Sequence, residues 1–184
     1  MALTPSNMID LGTNAPDFTL LDTVTGESYG LNDSKHSKAT VIMFICNHCP
    51  YVKHVILELV KLAKDYQSKG ISFVAINANN AIAYPEDAPK KMTQLAKQLD
   101  FSFPYLYDET QSTAKAYQAA CTPDFFIFDK DRLCVYRGQL DGSRPGNKIP
   151  VTGKDIRSAL DNILQDKPVN PQQLPSMGCN IKWK

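Results

Sequence analysis

Val41-Ile42-Met43-Phe44-Ile45-Cys46-Asn47-His48-Cys49-Pro50 is the stretch on which the reading of this chain turns. From Ala39 to Ile45 every residue is apolar or β-branched, the pattern of a strand buried on both faces. Beyond the cysteines, Val52, Val55, Ile56, Leu59, Leu62, Ala63 and Tyr66 recur at helical spacing. Pro50 has no N–H to donate and is accommodated in the first turn of that helix. The local order is therefore strand, Cys-x-x-Cys, helix. This order sets both thiols at a helix N-terminus, where unpaired N–H groups and the macrodipole favour negative charge. A thiolate is such a charge and is the reactive form of cysteine. Redox chemistry at the carboxyl end of a central strand is the expectation.

The rest of the composition narrows the class. A chain of 184 residues, 43% hydrophobic and 21% charged, has the length and make-up of one globular domain. Twenty basic and 19 acidic residues leave a formal charge of +1, which gives no electrostatic case for nucleic acid or an anionic membrane. No apolar run approaches the ~20 residues that span a bilayer. The opening Met1-Ala-Leu-Thr-Pro lacks the basic and apolar regions of a signal peptide, so a cytoplasmic location is expected. Five cysteines are too few, and odd in number, for a secreted disulfide scaffold.

Outward from the motif, residues 1–11 read as a mobile arm and 166–184 as an extended tail, with one domain over 12–165. A hairpin turns at Thr23-Val-Thr-Gly26, and the polar stretch Asn32 to Lys38 leads into the buried strand. After the long helix, Gly70 is a stop signal and Ile71 to Asn77 the next strand. Met92, Leu95, Ala96 and Leu99 mark a second helix, Phe103 to Tyr107 an extended piece, and Thr113 to Ala120 a short helix. Asp124 to Asp129 and Leu133 to Arg137 form a hairpin; Thr152 and Asp155 have capping-box spacing before a last helix. Strands alternating with helices need crossovers, and so build a partly parallel central sheet covered by helices.

These residues resemble the thioredoxin superfamily, specifically its peroxiredoxin-like, alkyl-hydroperoxide-reductase-related redoxin branch. Three matches carry the resemblance: the strand–Cys46-x-x-Cys49–helix unit, Thr122-Pro123 just before a strand, and Gly12-x-x-Ala15-Pro16-Asp17-Phe18-x-Leu20 followed by Asp22 and Gly26. The tail Pro175 to Trp183 also looks like that of a bacterial group of thioredoxin-family proteins. The resemblance implies an α/β fold, a thioredoxin-like three-layer sandwich with a central mixed β-sheet flanked by helices and an N-terminal β-hairpin extension. It also implies a cis-proline at Pro123 facing the cysteine pair, with neighbouring backbone open to strand-like pairing with a substrate.

The chain departs from the pattern in telling places. Ile45 replaces the tryptophan usual before the first cysteine, and Thr40 stands near the position of the usual buried carboxylate. Cys46 occupies the place of a peroxiredoxin threonine, while Cys49-Pro50 occupies the peroxidatic position.

Three functions follow as expectations. The first is a thiol–disulfide oxidoreductase needing no bound cofactor. The resemblance assigns attack to Cys46 as the low-pKa thiol and resolution to Cys49, with Thr122 and Pro123 positioning substrate. Its partners would be a disulfide or peroxide substrate and a thioredoxin- or glutathione-type reductant. The second is a thiol peroxidase in which Cys49 attacks and Cys46 resolves. The third is a copper- or zinc-binding module using Cys46, His48 and Cys49, although zinc ordinarily takes four ligands. His48 resembles the histidine that stabilises a thiolate in disulfide-forming oxidases. Cys121 is either a third redox thiol or a small buried residue, and Cys179 is a candidate resolving thiol. Cys134 reads as core, His54 as solvated, and Asp141 and Arg144 as loop charges that solvate by default.

Overall fold

A computed structural model describes residues 3–34 and 37–184. Residues 1–2 of the expected arm and 35–36 of the polar stretch lie outside the described residues. The strands are β1 (Leu3–Pro5), β2 (Thr19–Asp22), β3 (Ser28–Gly30), β4 (Ala39–Phe44), β5 (Ile71–Asn77), β6 (Tyr105–Tyr107), β7 (Cys121–Thr122), β8 (Asp124–Asp129), β9 (Cys134–Gly138) and β10 (Met177–Asn180). The α-helices are α1 (Pro50–Gln67), α2 (Pro89–Gln98), α3 (Ser112–Ala116) and α4 (Lys154–Leu164).

Seven strands form one mixed sheet in the order β3-β2-β6-β5-β4-β8-β9. β4 lies near its middle, parallel to β5 and antiparallel to β8. All six of its residues are buried, as its unbroken apolar run requires. Val41, Met43 and Ile45 face a core built with α1, α2 and α4, whereas Ile42 and Phe44 face one that includes Ala114 of α3 and Tyr117. This alternation of side chains makes β4 the middle of three layers. Each large side chain fully buried there contributes roughly 1.5–3 kcal/mol. The mixed sheet, flanking helices and N-terminal hairpin β2–β3 agree with the expected fold class.

One terminal expectation needs correction. The described part of the arm is not mobile, because Leu3–Pro5 pairs with Met177–Asn180, which in turn pairs with Cys121–Thr122. The tail ends as the central strand of this second sheet, in order β1-β10-β7. A segment of three or four residues has no periodicity to read, and here its pairing partners lie far away in sequence.

The expected capping box also fails. α4 starts from Gly153 at φ 66°, with no side-chain cap. The buried Asp141 carboxylate instead accepts hydrogen bonds from the N–H groups of Thr152 and Gly153, both at 2.7 Å, and from Ser143 N–H at 2.8 Å. Asp141 is thus a structural acceptor and not a solvated charge. Arg144 bonds its backbone carbonyl at 2.6 Å rather than its carboxylate.

Candidate active site

The carboxyl end of β4 delivers Ile45 and Cys46 to the start of α1. Ile45 N–H still donates to Ile76 O at 3.0 Å, so the sheet holds the chain up to the motif. Cys49 is the N-cap of α1, with extended backbone (φ −67°, ψ 125°), and Pro50 follows within the first turn. Val52, Val55, Ile56 and Leu59 bury the inner face of the helix and fix its N-terminus against the sheet. Both sulfurs are buried, Cys46 at 1% exposure and Cys49 at 0%.

Thr122 contacts both thiols. Its hydroxyl lies 3.3 Å from Cys46 Sγ, and its carbonyl accepts from the Cys49 thiol at 3.2 Å. The Thr122–Pro123 peptide is cis, as the resemblance implied. On the other side, Cys179 of β10 places its Sγ 3.0 Å from Cys49 Sγ. The tail thiol therefore belongs to the cluster.

The two motif thiols are shifted in opposite directions. A hydrogen bond from Cys46 is the largest influence, and it draws the Cys49 thiol down to about 4. Burial opposes this, while the Cys179 side chain and the N–H groups of Val52 and Cys179 assist. Cys46 moves well upward, first because it is the donor in that bond, then through burial and the nearby negative charge of Asp87. The expectation that Cys46 is the low-pKa thiol thus meets the opposite arrangement. The helix N-cap position falls on Cys49, where N–H groups stabilise an anion.

His48 makes its contact with a carboxylate. Its Nδ1 pairs with Asp87 Oδ2 at 2.5 Å, and its ring stacks on Tyr84 with centroids 5.0 Å apart. Asp87 is fully buried and also accepts from the N–H groups of Asn47 (2.7 Å) and His48 (3.3 Å) and from Asn79 Nδ2 (2.8 Å). It closes the short 3-10 turn Pro85–Asp87 in the loop after β5. Tyr105 Oη donates to Asn47 Oδ1 at 3.0 Å, so both residues between the cysteines are tied down.

Other expected site residues fall elsewhere. Cys121 is fully buried, donates toward Pro123 O at 3.5 Å, and has its thiol pushed upward by burial. Cys134 is core, as read. His54 is half-buried and bonded to Ser143 Oγ at 2.7 Å, which corrects its reading as a solvated residue. Glu58, its neighbour one turn on, instead pairs with Arg157 at 2.7 Å.

The profile of the AhpC/TSA family matches residues 11–137. The chain belongs to the AhpC/TSA family. Two solved structures are similar over nearly their whole length. One is a conserved protein from Geobacillus kaustophilus described as uncharacterized, 61% identical over 100% of this chain and 97% of that one, with a TM-score of 0.99. The other is a hypothetical protein from Sinorhizobium meliloti, 49% identical over 98% of each chain, with a TM-score of 0.96. The thioredoxin domain of a thiol-disulfide oxidoreductase from Bacteroides vulgatus shares the fold, at 16% identity, 74% and 90% coverage and a TM-score of 0.60. No curated protein matches the chain.

In this AhpC/TSA-family chain, two buried carboxylates escaped the reading of the sequence. Asp87 supplies negative charge beside the cysteines, a role sought in vain near Thr40; the only local signal was an acid in a proline-rich loop. Asp124, directly after Pro123, is fully buried with Oδ1 unpartnered, and desolvation pushes its carboxyl up to about 7. Cys46 Sγ, a His48 ring nitrogen and an Asp87 oxygen lie within 4.8 Å of one another. A cation would therefore find Asp87 beside Cys46 and His48 rather than the set of Cys46, His48 and Cys49.

Proposed function

We propose that the protein is a thiol–disulfide oxidoreductase whose Cys46 and Cys49 cycle between dithiol and disulfide. The observation that carries this reading is the meeting of both motif sulfurs on Thr122, Cys46 Sγ 3.3 Å from its hydroxyl and Cys49 Sγ 3.2 Å from its carbonyl, which sets a nucleophile beside the thiol that closes the bond. The Cys49 thiolate attacks a substrate disulfide and expels one substrate thiolate, leaving a mixed disulfide on Cys49. Cys46 then gives up its proton and attacks Cys49 Sγ, expelling the second substrate thiolate. Two electrons pass to the substrate, and one S–S bond replaces another. Thr122 touches both sulfurs and positions the pair. A thioredoxin- or glutathione-type reductant in a cytoplasmic setting returns the dithiol.

The test is single turnover with a small disulfide, following thiol release and trapping mixed disulfides. Cys46→Ser/Cys179→Ser accumulates the mixed disulfide on Cys49, whereas Cys49→Ser abolishes fast exchange. Fast exchange in Cys49→Ser contradicts the assignment.

Two observations favour thiol-peroxidase activity as the second reading. Cys49 is the more acidic thiol and directly precedes Pro50, and complete burial of its sulfur suits a small oxidant better than a large one. Here the thiolate attacks the hydroperoxide, the O–O bond breaks to leave a sulfenic acid and an alcohol, and Cys46 expels water to close the disulfide. Stopped-flow oxidation by hydrogen peroxide distinguishes the readings; a rate equal to that of an ordinary free thiol excludes the peroxidase.

A further inference from the structure

Cys179 lies on the segment read as an extended tail, and it sits in a built position. β10 pairs antiparallel with β7, with Cys179 opposite Thr122, the residue whose side chain and carbonyl face the two motif sulfurs. The edge next to the cysteines is thus taken by a strand of the same chain, in the manner of β-strand addition. Close approach depends on Gly178, where an added Cβ would lie 2.1 Å from Thr122 O.

The segment is stitched down on both sides. Ser6 N–H donates to Ser176 O at 2.9 Å, and Ser176 Oγ to Pro123 O at 2.6 Å. Ile181 N–H donates to Ala120 O at 3.1 Å, and Lys182 N–H to Asn79 Oδ1 at 2.8 Å. Cys179 itself is 4% exposed. Its Sγ stands 3.0 Å from Cys49 Sγ, about 1 Å beyond a disulfide bond length. Nothing in the alignment of β10 requires a sulfur at that point, yet one faces the N-cap cysteine of α1.

From this geometry we infer that Cys179 is a third redox residue, which takes over the disulfide from the motif so that the bond moves from Cys46–Cys49 to Cys49–Cys179. The inference rests on the dithiol reading above and extends it. The motif disulfide is first formed by a substrate disulfide, which is reduced to two thiols. The Cys179 thiolate then attacks Cys49 Sγ; the Cys49–Cys179 bond forms, the Cys46–Cys49 bond breaks, and Cys46 leaves as a thiolate. The proton lost by Cys179 is taken up by Cys46, whose side chain already lies against the Thr122 hydroxyl. No electrons are gained or lost in this second step, so no further oxidant enters. The oxidised protein has two disulfide isomers, one of which ties β10 to α1.

The experiment oxidises the full-length chain with oxidised glutathione, quenches with acid and maps disulfides by non-reducing digestion and mass spectrometry. Wild type is expected to yield both Cys46–Cys49 and Cys49–Cys179 peptides, Cys179→Ser only the former, and Cys46→Ser only the latter. Release of glutathione from Cys49 in Cys46→Ser is expected at least about tenfold faster than in Cys46→Ser/Cys179→Ser, as fixed proximity confers. If the wild type lacks the Cys49–Cys179 peptide, and Cys46→Ser holds glutathione on Cys49 with Cys179 free, the inference is overturned. The dithiol reading then stands or falls separately on whether Cys179→Ser forms Cys46–Cys49. A Cys49–Cys179 bond with no Cys46–Cys49 bond in any variant contradicts the dithiol reading and, with it, the transfer of the bond.

Discussion

His48 Nδ1 and Asp87 Oδ2 stand 2.5 Å apart, and the same carboxylate receives the N–H groups of Asn47 and His48. One buried acid therefore holds both residues between the cysteines while it projects negative charge toward Cys46. Asp87→Ala strands those donors and is expected to lower stability by roughly 3 kcal/mol, read by denaturant unfolding. In a Cys49→Ser background, Asp87→Asn is expected to move the alkylation midpoint of Cys46 to lower pH. An unchanged midpoint would show that the Asp87 charge does not reach the sulfur.

The hydrogen bond from Cys46 is the largest influence holding Cys49 near 4. Cys46→Ala removes the donor, and the Cys49 thiolate absorbance should then appear at a higher pH. Cys46→Ser retains an O–H donor and should restore part of the shift. Midpoints unchanged from wild type in both variants would remove the Cys46 hydrogen bond from the account.

Asp124 ties stability to pH. Its native carboxyl is pushed up to about 7 by desolvation, against an ordinary value of 3.8. Between these values the native state holds a proton that the unfolded chain has released, so this group makes stability fall as pH rises from about 4 to 7, then level off. The depressed Cys49 thiol has the opposite slope in that window, adding stability as pH rises. The measurable quantity is therefore the difference between variants. Asp124→Asn should gain stability relative to wild type across this range, with denaturant unfolding at several pH values as the check. A constant difference would contradict a proton held on Asp124.

Gly178 lets β10 lie against Thr122. Gly178→Ala forces a Cβ to within 2.1 Å of the Thr122 carbonyl, so the strand must shift. A loss of about 1–3 kcal/mol is expected, as for other overpacked sites. Cys49 alkylation should accelerate at the same time as cover is displaced. Unchanged melting and alkylation would mean that β10 does not seal the site.

What the sequence discloses and what it hides divide along physical lines. The run Ala39 to Ile45, the cysteine pair and the apolar face of α1 are contiguous, so their order could be read directly, as could Thr122-Pro123 before an apolar strand. Asp87 could not, because its meaning lies in two backbone N–H groups and two side chains, His48 and Asn79, brought from the motif some 40 residues away and from the loop after β5. Cys179 was visible only as a cysteine without diagnostic spacing. Its role depends on β10 lying between Leu3–Pro5 and Cys121–Thr122, a pairing of short segments that no local pattern encodes. The inversion of acidity between Cys46 and Cys49 was hidden for a related reason. It comes from the directions of individual hydrogen bonds, whereas spacing identifies only the pair.

The central claim is that Cys46 and Cys49 exchange two electrons as a unit. The most direct measurement equilibrates full-length Cys179→Ser, which isolates the pair, in glutathione buffers of graded potential and reads the species by mass after acid quenching. A single two-electron transition from the dithiol to a Cys46–Cys49 disulfide is the predicted result. Thiols that persist across the whole range, or that carry glutathione without ever closing on each other, would contradict it.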